Sequence, residues 1–370
     1  MAIKMAKIKP YINIGPGEFI KEEMETRNWT NEDLAQVLGL NPKTVSELLN
    51  NKQRITIDTA KILSQAFGQS PQYWLNLDNN YRLRLKENNN ESEVEIKSKI
   101  YERMPVNEMI KKGWIKKYRN TDELKSIFMD FWQINDLKID WLDRLALPNC
   151  RKSDAYNNLN KYFILTWTQK AKLTSEKFET SDYNKKALRE LAEEITKYSV
   201  MKTGVSRFLT ELNNTGVKFF TLSHLPRTYL DGASFIHDNN PVIVYTKRYD
   251  RLDNFWFTLT HEIGHILLHI KNEKDIFIDD FKSEGEFDYE SEANEFAEKI
   301  LRVDEILHYF SEFKHYTSAY RVIEAAEELD INPSVIVGIL KYYNILAYNR
   351  LNKLNEPVSN KIPKKYLVKN

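Results

Sequence analysis

Between Gly17 and about Arg84 apolar positions recur at threes and fours between sharp stops, a rhythm of short amphipathic helices rather than strands. In WTNEDLAQVLGL, Thr30 stands at an N-cap position with Asp33 three residues on, so the two can close a capping box. Leu34, Ala35, Val37 and Leu38 form the expected apolar face, and Gly39 ends the helix. LNPKTVSELLNNKQ repeats the plan, with Asn41 as cap, Pro42 at the first helical position and Val45, Leu48 and Leu49 turned inward. A turn of about three residues separates this pair of helices. ITIDTAKILSQAFG starts at Thr56 or Asp58 and stops at Gly68, and SPQYWLNLDNNYRL opens on Ser70 and Pro71. The whole stretch reads as a five-helix unit.

KENNNESEVEIKS, residues 86–98, is polar and low in complexity, which reads as a linker or a frayed helix start and places a domain boundary near residue 90. Helical periodicity then runs from Thr121 to Glu211, as in YNKKALRELAEEITKYS. At residue 216 the period shortens. GVKFFTL, GASFIH and PVIVYT are rich in β-branched and aromatic residues and are separated by turn formers, so they predict a small antiparallel sheet. The apolar run FTLTHEIGHILLHI follows, then the acidic loop KDIFIDDFKSEGEFD and a helix YESEANEFAEKILRV, with helical patterning onward to Tyr343. The expected fold class is mainly α and multidomain. It comprises a five-helix domain (1–88), a helical connector (89–205), an α+β domain with a small antiparallel sheet (206–350) and a tail (351–370).

Composition changes this picture little. A chain of 370 residues exceeds what one core usually serves, and 42% hydrophobic with 29% charged residues is ordinary for globular proteins. No apolar run reaches the roughly 20 residues that span a bilayer. The start MAIKMAKIKPYINIG is basic without the apolar stretch of a signal peptide, and Cys150 is the single cysteine, so a cytoplasmic protein without a membrane partner is expected. A net charge of +1 requires any nucleic-acid face to be local. Residues 97–120 carry eight Lys or Arg against two Glu, which suits either a solvated helix face or contact with phosphates.

FTLTHEIGHILLH, residues 257–269, holds three of the seven histidines. HEIGH fits H-E-x-x-H: residues four apart share a helix face, so His261 and His265 can aim at one zinc ion while Glu262 lies beside the ion's water as general base. The competing reading is an apolar core helix that happens to carry histidines. His269 is eight residues from His261, about 12 Å of rise along the helix, so all three cannot hold one ion, and His269 is expected behind the ligands or in the core. ESEANEFA should supply the third ligand. Glu290 is preferred, because Asn294 lies one turn on to orient a histidine; Glu292, about 160° further round, is the alternative. Two His and one Glu leave a coordination position open, as in catalytic sites. Tyr289, His308, His315 and Tyr316 are candidates for stabilising an oxyanion.

VIVYTKRYDRLDNFWFTLTHEIGHILLH followed by ESEANEFAEKIL resembles the ImmA/IrrE family of bacterial and phage zinc metallopeptidases, over about Leu212 to Tyr343. The resemblance implies a gluzincin-like metallopeptidase domain with Zn2+ as cofactor and a transcriptional repressor as protein substrate. ILRVDEI departs from the relatives that place a proline after the second helix, which bears on the chain's exit and not on the ligands.

The first domain, from GPGEFIKEEMETRNWT to NLDNNYRL, resembles the HigA-type antitoxin branch of the Xre helix-turn-helix domains. With Val45, Leu48 and Leu49 inward, its second helix turns Lys43, Ser46, Glu47 and Asn50 outward on one stripe that suits a major groove, and Thr44 and Lys52 suit phosphates. Lys can donate to guanine and Asn can pair with adenine. Glu47 belongs over a cytosine edge or toward solvent. The expected partners are double-stranded DNA with a palindromic operator, bound by a homodimer, and a protein substrate or partner, either a repressor or a toxin. The rival reading is a DNA-binding antitoxin whose metal domain only scaffolds or senses.

Overall fold

The computed structural model describes residues 13–85, 93–137, 141–144, 154–226, 228, 230–271, 276–278, 289–311 and 317–368. The expected boundary near residue 90, Cys150, His315 and Tyr316 lie outside them. Contacts divide the chain into two compact units, Met1–Ser92 and Glu93–Asn370.

The first unit holds α1 (Pro16–Glu25), α2 (Asn31–Leu38), α3 (Pro42–Leu49), α4 (Ile57–Phe67) and α5 (Pro71–Leu85). Local chemistry sets each boundary. Thr30 Oγ1 accepts from the Asp33 N–H at 3.2 Å while the Asp33 carboxylate accepts from the Thr30 N–H at 2.8 Å, closing the capping box. Asn41 Oδ1 accepts from the Thr44 N–H at 2.7 Å, and Thr56 Oγ1 from the Thr59 N–H at 3.2 Å. Gly39 and Gly68 end α2 and α4 in the left-handed region. Ile20, Leu34, Val45, Leu48, Leu63 and Trp74 form the core. Val37 is the exception to the expected face, being 50% exposed. On a helix of only eight residues, Leu34, Ala35 and Leu38 already fill the buried stripe, and Val37 falls outside it.

The second unit begins with α6 (Glu93–Arg103), α7 (Val106–Lys111), α8 (Thr121–Trp132), α9 (Trp141–Arg144), α10 (Asp154–Ser175), α11 (Lys185–Glu193), α12 (Ile195–Val200) and α13 (Gly204–Asn214). Next come β1 (Lys218–Thr221), β2 (Gly232–His237), β3 (Asn240–Tyr245), α14 (Leu252–Leu268), β4 (Ile276–Ile278), α15 (Tyr289–Ile300), α16 (Val303–Phe310), α17 (Ala319–Leu329) and α18 (Pro333–Tyr342). The strands lie in the order β1-β3-β2-β4. The sheet is mixed rather than wholly antiparallel, because β1 pairs parallel with β3. Asp238 and Asn239, both at positive φ, turn β2 tightly into β3, and this hairpin inserts β3 beside β1 in the same direction.

Both faces of the sheet are covered. Phe219, Ile243 and Tyr245 point into a core shared with Phe255, Trp256 and Leu259 of α14. Phe220, Phe235, Val242 and Val244 point the other way, into a core with Ile100, Phe128 and Trp167 of α6, α8 and α10. Strand alternation thus splits one sheet between two cores, and α14 is held against it as a nearly wholly buried helix.

Candidate functional site

On α14, His261, Glu262 and His265 are 3%, 0% and 1% exposed, so this helix end presents polar groups to the protein interior. The Nε2 atoms of His261 and His265 face each other at 2.9 Å. Glu290, in the first turn of α15, brings one carboxylate oxygen to 3.3 Å from His261 Nε2 and the other to 3.4 Å from His265 Nε2. Ligand atoms of these three residues all lie within 4.8 Å of one another. Two imidazole nitrogens and a carboxylate at this closeness fit a divalent metal such as zinc. Burial opposes ionisation of Glu290, but hydrogen bonds from His261 and His265 outweigh it and hold its carboxyl down at about 2.

The helices can approach because of what is missing at their contact. A Cβ on Gly264 would stand 3.1 Å from the Phe296 ring and 3.4 Å from Ala293 Cα, and Ala293 and Ala297 are fully buried beside it. Gly232, at the start of β2, is tighter still, since a Cβ there would meet Glu262 Oε1 at 2.4 Å. Glu262 is therefore seated between its own helix and the sheet.

Behind the three converging groups lies a second set. Asn294 Oδ1 is 2.9 Å from His261 Nδ1, which suits an N–H donated by the ring. His265 Nδ1 is 3.1 Å from His269 Nδ1, and His269 Nε2 is 2.9 Å from a Glu292 oxygen. Glu292 thus meets His269 while Glu290 meets the facing nitrogens. Phe277 of β4 stacks on the His265 ring at 4.6 Å and 16°. Spacing along α14 shows that His269 cannot join His261 on one ion, but its link to Glu292 and the Phe277 stack come from other elements and leave no local signal. Tyr289 packs its ring 4.8 Å from His269, and His308 is exposed on α16.

In the first unit, α3 buries Val45, Leu48 and Leu49 and exposes Lys43, Ser46 and Asn50, with Lys52 exposed just beyond; Thr44 and Glu47 are half-buried. Asn50 donates through Nδ2 to the Ser46 carbonyl at 2.8 Å, capping the helix end. Asn51, at positive φ, accepts from the Gly17 N–H at 2.7 Å and ties this end to α1.

Residues 20–74 match the helix-turn-helix family, and residues 210–336 match the IrrE N-terminal-like domain of the M78 peptidases. An uncharacterised HTH-type transcriptional regulator of Escherichia coli (strain K12), YddM, is 38% identical over 68 residues, which are 18% of this chain and 72% of that protein. The chain belongs to the HTH-type regulators. A second such regulator, from Haemophilus influenzae, is 40% identical over 62 residues, 16% of this chain, and the chain spans 58% of its length. The solved structure of an addiction module antidote protein of a HigA family from Coxiella burnetii is 35% identical, covering 20% of this chain and 80% of that one with a TM-score of 0.19. In this HTH-type regulator the two matched stretches hold α2 with α3 and β1–β4 with α14 and α15, and none of its described helices is long and apolar enough to cross a membrane.

Proposed function

We propose that this regulator reads an operator through α3 and that its second unit is a zinc-dependent endopeptidase acting on a protein substrate. The observation that supports the enzyme reading is the convergence of His261, His265 and Glu290 with Glu262 buried alongside. His261 and His265 would hold the ion through Nε2 and Glu290 through its carboxylate, with Asn294 and His269 fixing the ring orientations. Bound zinc supplies Lewis acidity toward a peptide carbonyl and makes a water more acidic. Glu262 takes the proton of the attacking water and returns it to the departing amine, so one residue serves as base and then acid. In the first unit, Lys43, Ser46 and Asn50 are assigned to base edges, Thr44 and Lys52 to phosphates, and Glu47 to a cytosine edge or solvent. Two copies on a palindrome would place two α3 helices in successive major grooves.

Metal analysis with two variants tests the enzyme half. Wild type should hold about one zinc per chain and His265→Ala almost none, while Glu262→Gln should keep its zinc and lose cleavage by at least about a hundredfold. Stoichiometric zinc in His265→Ala would remove the assigned site. Wild-type protein that holds zinc but leaves every repressor or toxin encoded near its operator uncut would leave the metal domain a scaffold.

A further inference from the structure

The basic run at residues 97–120 is only partly explained by ion pairs. Arg103 is bound to Asp143 at 2.8 Å, and Lys97 and Lys99 pair with Glu93 and Glu95 along α6. Lys112 does something else. It leaves the end of α7, lies 5.8 Å from the Trp114 ring centre and donates to Ser223 Oγ at 2.7 Å, in the segment that follows β1. Lys170 of α10 reaches the same ring at 6.0 Å. Trp167, fully buried on α10, donates from Nε1 to the Ser223 carbonyl at 3.2 Å and so pins this segment in place. His224 is the next residue.

Apart from Ser223, whose hydroxyl oxygen and carbonyl accept from Lys112 and Trp167, the groups gathered here are donors or cations. The indole Nε1 of Trp114, a residue only 8% exposed, meets no acceptor among the described residues. Burial pushes the pKa values of Lys112, Lys170 and His224 down; positive neighbours add to this, Lys111 for Lys112, Lys177 for Lys170, and Lys112 with Arg248 for His224. The nearby carboxylates are few: Glu108 on α7 favours the charge of Lys112, and Asp231 stands 3.6 Å from Arg248. Half-buried ammonium groups around a buried unpaired N–H are unfavourable until an anion joins them.

We propose that Lys112 and Lys170, which share the Trp114 ring, form with Ser223 and the adjoining His224 a binding site for a phosphate group. It is independent of the metal centre and of the peptidase reading.

The full chain labelled with 5-fluorotryptophan has seven fluorine resonances, one per tryptophan, and Trp114→Phe assigns the relevant one. Inorganic phosphate replacing chloride at constant ionic strength should shift the Trp114 signal saturably, with a smaller shift at Trp167, whose indole is bonded to the Ser223 carbonyl, and leave the other five in place. Lys112→Gln and Lys170→Gln should each weaken this by roughly tenfold, the scale of a hydrogen bond to a charged group. The five remote resonances, at their wild-type positions, report that each variant is folded. A linear drift common to all seven signals, or saturation unchanged in both variants, overturns the site. Random-sequence duplex DNA, at matched phosphate concentration, identifies the source. A Trp114 shift at lower phosphate concentration than with the inorganic ion assigns the site to a nucleic-acid backbone, and a response to inorganic phosphate alone assigns it to a small phosphorylated ligand.

Discussion

The outward stripe of α3 and the histidine helix α14 are built on opposite plans. Lys43, Ser46 and Asn50 stand in solvent, and Asn50 on this stripe makes an internal cap by donating to the Ser46 carbonyl. On α14 the polar groups are buried, and each ring nitrogen of His261 and His265 faces another protein group. A surface stripe can be rebuilt one residue at a time, because each side chain meets water when it loses a partner. A buried cluster cannot, since removing one member leaves its neighbours without theirs. Substitutions around α14 should therefore have larger and more shared effects than substitutions on α3.

The largest contrast should come from a position with no side chain. Gly232→Ala puts a methyl 2.4 Å from Glu262 Oε1 and 2.7 Å from Thr258 Cγ2. Glu262 must move while His261, His265 and Glu290 are untouched, so zinc should remain and cleavage should fall by about a hundredfold, the cost of misplacing a reacting group by about 1 Å. Zinc content and turnover measured on one preparation separate the two, and wild-type turnover would mean that Glu262 has room to spare.

Next in size is the support behind His265. His269→Ala removes the group that meets His265 Nδ1, and Glu292→Gln weakens the hold on His269. Either should lower zinc affinity by about 10–100-fold without abolishing binding at saturating metal. Competition with a chromophoric chelator gives the affinity. Wild-type affinity in both variants would show that Phe277 and the helix alone orient the ring.

These two predictions rest on contacts of the kind the sequence hides. The four-residue spacing of His261 and His265 is legible because helical geometry alone puts both on one face. The caps at Thr30, Asn41 and Thr56 are legible for the same reason: each bond spans three residues. Gly232 against Glu262 joins positions thirty residues apart through the sheet, and His269 with Glu292 joins two helices, so periodicity carries neither. The parallel β1–β3 pair is hidden likewise, because strand patterning gives the faces of a strand and not its neighbour's direction. Val37 fails in the other direction. Its hydrophobicity marks it as core, but a two-turn helix has only one narrow stripe to bury.

On the exposed helix the expected effects are smaller and separable. Asn50→Ala should cost about 1–3 kcal/mol at the preferred operator and relax choice at one base position. Lys52→Ala should weaken all sequences alike and reduce the salt slope by about one. Gel-shift titrations at two salt concentrations distinguish them. If both variants lose affinity evenly across sequences, α3 lies on the backbone and does not read bases.

The smallest effect concerns the footing of α3. Thr30→Ala deletes the oxygen that accepts from the Asp33 N–H, and such N-cap losses cost about 1 kcal/mol. Leu34 and Leu38 of α2 share their core with Val45 and Leu48 of α3, so fraying of α2 should loosen α3 without altering any group on its stripe. Amide exchange at Leu34 and Ala35 should quicken in the full chain, operator affinity should fall modestly with its salt slope unchanged, and zinc affinity should not move. The pH dependence has a definite sign. Hydrogen bonds from the Thr30 N–H and hydroxyl hold the Asp33 carboxyl below the usual range. The box is therefore complete above the unfolded-state pKa of Asp33 and weakens as pH falls through the lower folded value. Exchange at Leu34 and Ala35 in wild type should quicken toward low pH, once the chemical pH dependence of exchange is corrected for, and a corrected rate that does not change with pH would mean that Asp33 takes no part in the cap.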